Sequence, residues 1–182
     1  MRSGVPKRLQ RAPIVVTPLS RLQDAVDTYR PARVISLMSK PGTVPNPAGL
    51  PPNAFVEIAF NDVVDETVMA PGIVPPAVEH VEALLDIARG WDGAAPLLIH
   101  CWFGISRSPA AAFSIACALS PGRAPGDIAG ALRAASPSAT PNARLVRVAD
   151  DHLGREGAMV SAIRDIGRGG EASEGDLFEL AV

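Results

Sequence analysis

Cysteine is nearly absent from this chain of 182 residues, which carries two, Cys101 and Cys117. Two thiols make no disulfide framework, so a reducing cytoplasmic setting is expected, and such a setting preserves a free thiol. Aromatic residues are also scarce, at 4% of positions with Tyr29 the single tyrosine, which leaves few rings to clamp a planar ligand. Neither sign of charge dominates: 17 Lys and Arg against 19 Asp and Glu give a formal net charge of -2. Nucleic-acid partners call for a broad basic surface and are excluded on that ground. No apolar run is long enough to span a bilayer. The longest, residues 110–119, reads as a core helix, so no membrane partner is expected. Arg2, Lys7, Arg8 and Arg11 lend the amino end a basic flavour, but the apolar segment of a secretory signal does not follow them. With three histidines and no grouping of His, Cys and carboxylates at ligand spacing, a metal site has no support.

Hydrophobic residues make up 47% of the chain, enough to bury one core, and the length suits one domain. Residues 1–12 are polar, basic and aperiodic, and are expected to form a flexible tail. Short apolar runs at 14–16, 33–37, 54–60 and 96–100 read as strands. The last is continuously apolar, as in a strand buried on both faces. Helical spacing predicts helices over 20–29, 74–91, 108–119, 127–135, 141–153 and 156–166, with Pro75 and Pro76 in the first turn of the second. The Pro- and Gly-rich stretch 38–53 is expected to be a surface loop that overhangs a site. Residues 167–182 return to Gly, Ser and acidic residues and are expected to form a flexible acidic tail. Strands interleaved with helices, followed by a helical carboxyl half, argue for a single α/β domain over 13–166.

The densest information lies in Ile99-His100-Cys101-Trp102-Phe103-Gly104-Ile105-Ser106-Arg107-Ser108-Pro109. A cysteine and an arginine stand six positions apart where an apolar strand gives way to a helix. Gly104 sits mid-loop, where a positive φ lets successive N–H groups turn inward as an anion-binding nest. Ser108-Pro109 opens the following helix, whose N-terminal field favours negative charge, thiolate over thiol included. Arg107 offers a planar fork that matches two phosphate oxygens. Each feature serves an oxyanion held against a sulfur nucleophile.

His100-Cys101-x5-Arg107-Ser108 resembles the signature loop of the cysteine-based protein tyrosine phosphatases, nearest to the small dual-specificity branch and its bacterial relatives. The resemblance implies a central mixed sheet, parallel at its core and flanked by helices. It also implies hydrolysis of phosphotyrosine, and of phosphoserine or phosphothreonine if the pocket is shallow enough, through a cysteinyl-phosphate. Cys101 is then the nucleophile. Arg107 and the backbone amides of Trp102, Phe103, Gly104, Ile105 and Ser106 hold the phosphoryl group. Ser108 eases thiolate departure, and His100 orients the loop. No cofactor is implied, since the enzyme itself carries the phosphoryl group. The family's acid is an aspartate on a loop upstream of the signature strand. Asp62 fits that place, with Asp65 the alternative and Asp92 a turn residue. No Trp-Pro-Asp sequence is present, so the assignment rests on position.

Farther along, Thr140-Pro141-Asn142 precedes an apolar-periodic helix. A Pro-Asn pair opens a late helix in dual-specificity phosphatases, where the asparagine braces the signature loop. Equally, Thr140 caps the helix, Pro141 is its first residue and Asn142 is merely exposed. The order of acid loop before signature loop disfavours the low-molecular-weight phosphatases and related arsenate reductases. Cys117, ten residues after Arg107, reads as a core residue, and His80 and His152 as surface or capping residues. The absence of lysine between Cys101 and Arg107 argues for a singly phosphorylated substrate, a phosphorylated protein or a small phosphomonoester. Trp102 and Phe103 in those positions alternatively pack the loop against the core. Two rival functions use the same loop: an inactive phosphoresidue-binding module, and arsenate or sulfur chemistry that needs a second thiol.

Overall fold

In chain order the elements are β1 (Ile14–Pro18), α1 (Leu22–Tyr29), β2 (Arg33–Ser36), β3 (Phe55–Glu57), α2 (Val78–Arg89), β4 (Leu97–Cys101), α3 (Arg107–Leu119), α4 (Pro125–Ala135), α5 (Ala143–His152), α6 (Ala158–Ile166) and β5 (Phe178–Leu180). The computed structural model describes residues 11–65, 67 and 70–182. One sheet runs in the order β3-β2-β4-β1-β5. The first four strands are mutually parallel and β5 pairs antiparallel with β1. This is a single α/β domain with a mixed, mostly parallel sheet, as expected.

Apolar side chains alternate between two faces, the consequence of a period of two along each strand. Ile14, Val16, Ile35, Leu97 and Ile99 join the larger core built with α2 to α6. Val15, Val34 and Leu98 face the other way, onto Leu22, Ala25 and Val26 of α1 and onto Met38 and Val44 of the following loop. The central strands are therefore apolar throughout because both faces are covered. α3 packs directly beneath the sheet, and its Ala110, Ala111, Ala112 and Ala116 are fully buried. Small residues allow that close approach, while Phe113 and Ile115 supply the bulk. Each such large side chain contributes about 1.5–3 kcal/mol on burial.

Several boundaries differ from the sequence reading, each for a local reason. β3 ends at Glu57 because it is an edge strand. Beyond it the chain stays extended along β2, with Ile58 N donating to Ser36 O at 3.0 Å and Phe60 N to Met38 O at 2.9 Å. α2 starts only after Pro75 and Pro76, and Nδ1 of His80 accepts from Ala77 N at the helix start. α5 begins one residue after Asn142, whose side-chain oxygen accepts from Leu145 N at 2.9 Å. Asn142 is thus the N-cap, and neither Thr140 as cap nor Pro141 as first helical residue holds. α6 starts at Ala158, because Glu156 and Gly157 have φ of 52° and 85°. The buried carboxylate of Asp150 accepts from Gly157 N and Met159 N there.

At the carboxyl end the flexible acidic tail is not what the structure holds. Phe178 and Leu180 of β5 are buried against β1, and Glu179 between them accepts from the Tyr29 hydroxyl at 2.9 Å. The strand forms because β1 would otherwise present an unpaired edge to solvent. At the amino end, residues 1–10 of the expected basic tail lie outside the described residues. Ala12 N donates to Gly93 O, and the Arg11 guanidinium carbon lies 5.9 Å from the Trp91 ring centroid. Among the described residues, no helix is long and apolar enough to cross a membrane.

Candidate active site

β4 lies at the centre of the parallel strands and delivers Cys101 at its carboxyl end, which is where open α/β sheets place their ligands. Residues 102–106 then turn back into α3, which opens at Arg107. Gly104 makes the turn with φ of 70°, and its bare Cα passes Pro18 so closely that a Cβ would sit 2.9 Å from Pro18 N. Only glycine meets both demands.

The loop's carbonyls are tied to its surroundings. Trp102 O accepts from Leu19 N, Phe103 O from Gly175 N, Ile105 O from Thr140 N and Ser106 O from Asn142 N, at 2.8–3.2 Å. Its amides are not: the N–H groups of Trp102, Phe103, Gly104, Ile105 and Ser106 donate to nothing among the described residues. A loop held by its oxygens with its donors left over is a cradle for an anion, reinforced by the N-terminus of α3.

Cys101 is 3% exposed, and its Sγ lies 3.1 Å from Oγ of Ser108 in the first turn of α3. Arg107 is 7% exposed. One terminal nitrogen donates to Phe60 O at 3.1 Å and to Ser39 Oγ at 3.4 Å, while its buried Nε has no partner among the described residues. The guanidinium is thus steered from one corner with a donor unspent. Behind the loop His100 is fully buried, and neither ring nitrogen makes a well-formed hydrogen bond. Burial lowers its pKa to about 4; the backbone of Cys101 opposes the shift and the Arg107 charge adds to it. The ring is therefore neutral at physiological pH.

Asp62 and Asp65 share a loop but not a situation. Oδ1 of Asp62 accepts from Ser106 Oγ and from Asn142 Nδ2, each at 2.7 Å. Asp65 spends its carboxylate on Thr67, accepting from the backbone N–H and the hydroxyl at 2.8 Å, and these bonds hold its pKa below the usual carboxylate value. Asp62, Cys101, Phe103 and Arg107 line one pocket of about 300 Å³, whose remaining wall includes Ala172 and Ser173. Asp65 is not among its lining residues. Asn142 touches both loops: its backbone N–H bonds to Ser106 O, and its amide also donates to Val63 O at 3.3 Å.

Trp102 and Phe103 do not pack the loop onto the core. They are 46% and 52% exposed and meet edge to face, with ring centroids 6.4 Å apart. Cys117 is buried in α3, and burial pushes its thiol up to about 12. His80 is buried against Phe60 and serves the start of α2, whereas His152 is exposed at the end of α5. Sequence reasoning missed Phe60 O and Ser39 as anchors of Arg107, Ser106 as a partner of Asp62, and Arg144, whose Nε donates to Pro76 O at 3.1 Å beside the acid loop. It also missed the wall from 172–173. A backbone carbonyl leaves no mark in a sequence, and nothing marks the serines.

No protein-family model matches the chain, and no curated protein matches it at significance. Solved structures do. DUSP15 is similar over 86% of this chain and 92% of its own, at 17% identity and a TM-score of 0.57. Tk-PTP in its active form is similar over 77% and 89%, at 18% identity and a TM-score of 0.52. A point variant of human DUSP28 is similar over 75% and 84%, at 19% identity and a TM-score of 0.50. The chain therefore has the fold of the cysteine-based tyrosine and dual-specificity phosphatases, as the signature loop implied.

Proposed function

We propose that this chain hydrolyses phosphomonoesters, with phosphotyrosine in proteins the preferred substrate, through a phosphorylated Cys101. The observation that carries the reading is the convergence of Cys101, Arg107 and Asp62 on one pocket beside five unspent backbone donors. Those amides and the free edge of Arg107 hold the three non-bridging oxygens, where charge accumulates during transfer. Sγ of Cys101 attacks phosphorus as the bond to the leaving oxygen breaks, and Asp62 delivers a proton to that oxygen. Because Oδ1 of Asp62 already accepts two hydrogen bonds, Oδ2 is the oxygen free to carry the proton. Water then displaces the cysteine: Asp62 takes the water proton, the S–P bond breaks, and Ser108 donates a hydrogen bond to the departing thiolate. Neutral His100 supports the loop from behind and takes no proton.

Turnover of para-nitrophenyl phosphate without added metal tests this directly. Wild type should release nitrophenol, Cys101→Ser should release none, and Asp62→Ala should be slower by about 10²–10⁴. Activity retained in Cys101→Ser would overturn the reading.

A further inference from the structure

The pocket over Cys101 does not end at its rim. Ile105, Ala172 and Ser173 line both it and a larger open cavity of about 510 Å³. Ser138, Thr140, Arg168, Gly170 and Glu171 complete that annex. Two segments build it: residues 136–140, on the way into α5, and residues 168–173, from the carboxyl-terminal part of the chain. The second segment is fastened along its length. Gly169 N donates to Thr140 Oγ1 at 3.0 Å and Gly170 N to Pro137 O at 2.9 Å. Farther on, Gly175 N donates to Phe103 O at 2.8 Å, and Glu174 accepts from the Ser20 hydroxyl at 2.7 Å. β5 then pins the end against β1.

The annex is thus a formed wall in which Thr140 is engaged by Gly169 and the remaining polar side chains are unspent. Among the described residues, the side chains of Ser138, Arg168, Glu171 and Ser173 enter no hydrogen bond or ion pair. One guanidinium and one carboxylate leave the cavity without net charge. A second phosphate would meet Glu171 and find no matching excess of cations. A polypeptide backbone, which alternates donors and acceptors and bears no charge, matches this mixture of hydroxyls, carboxylate and guanidinium. The volume lies in the range of ligand pockets and so has room for a short segment of chain.

We propose that this annex is a subsite, built by the carboxyl-terminal segment, that holds the polypeptide next to the phosphorylated residue and selects phosphorylated chains over small phosphomonoesters. The proposal rests on the phosphate pocket of the reading above. Its test is calorimetric titration of the Cys101→Ser protein with free phosphotyrosine and with a phosphotyrosyl heptapeptide of uncharged flanking residues. The heptapeptide should bind about tenfold more tightly, which is about 1.4 kcal/mol. That advantage should disappear in Arg168→Glu, at an exposed position, and independently in Ser138→Tyr, which fills the cavity. Equal affinity for the two probes, or an advantage that survives both substitutions, overturns the subsite and leaves the phosphatase reading intact. Failure of either probe to bind at all, with no wild-type turnover of para-nitrophenyl phosphate, overturns both.

Discussion

The hydroxyl of Ser106 donates to Oδ1 of Asp62 across 2.7 Å, which ties the loop after β4 to the loop after β3. Asn142 reinforces the link from α5 by donating to the same oxygen at the same distance. Asp62 is itself an exposed residue, so these two bonds are what aim its carboxyl group. Removal of either donor should lower kcat for para-nitrophenyl phosphate about tenfold, the equivalent of one charge-assisted hydrogen bond, with KM little changed. In an Asp62→Asn background the same substitutions should cost almost nothing, a coupling that a merely structural role would not produce.

Asp65 makes the contrasting case. Its carboxylate closes a turn with Thr67 and does not line the pocket over Cys101. Asp65→Asn should therefore keep kcat within about threefold of wild type, against the loss of about 10²–10⁴ expected for a missing general acid. Parallel assays of the Asp62 and Asp65 variants decide between the two aspartates.

His100 should leave a signature in stability against pH. Its pKa is about 4 in the folded protein, against about 6.5 for an exposed histidine. The unfolded chain therefore binds the extra proton first as pH falls. The contribution is complete above pH 6.5 and is lost progressively between 6.5 and 4, by about 3 kcal/mol in all. Urea unfolding of wild type and His100→Phe at pH 4.5 to 7.5 should show a steeper acid decline in wild type. Parallel curves would mean that the ring is charged or solvated in the fold.

Gly104→Ala should fail twice over. A φ of 70° costs an alanine about 1–2 kcal/mol, and its methyl group would meet the backbone nitrogen of Pro18 at 2.9 Å. The loop must then shift, and its unspent amides shift with it. Lower urea stability together with weaker vanadate binding is the expected result. Unchanged vanadate affinity would mean that the loop's register does not depend on this turn.

The part of the site within one stretch of chain was legible, because its reasons are local. A strand that stops, a glycine, an arginine and a helix opening announce an anion loop whatever surrounds them. The α/β class followed from apolar strands interleaved with helices, and the buried place of β4 from its continuously apolar run; which strands flank it had no local mark. β5 did not, since Phe178-Glu179-Leu180 is three residues in an acidic neighbourhood and becomes a strand only because the edge of β1 waits for it. For the same reason Ala172 and Ser173 could not be foreseen beside Cys101. Asn142 was placed near the site by resemblance alone. That its amide reaches Asp62, 80 residues away in sequence, depends on how α5 docks and not on any pattern around it.

The central claim is that Cys101 carries the phosphoryl group. Its most direct test is rapid quenching of the Ser108→Ala variant during turnover of para-nitrophenyl phosphate, followed by peptide mass analysis. Without the hydroxyl 3.1 Å from Sγ, breakdown of the intermediate should slow more than its formation. The peptide that contains Cys101 should then appear heavier by one phosphoryl group, alongside a burst of nitrophenol. Steady release of nitrophenol with Cys101 unmodified at every time would contradict the account.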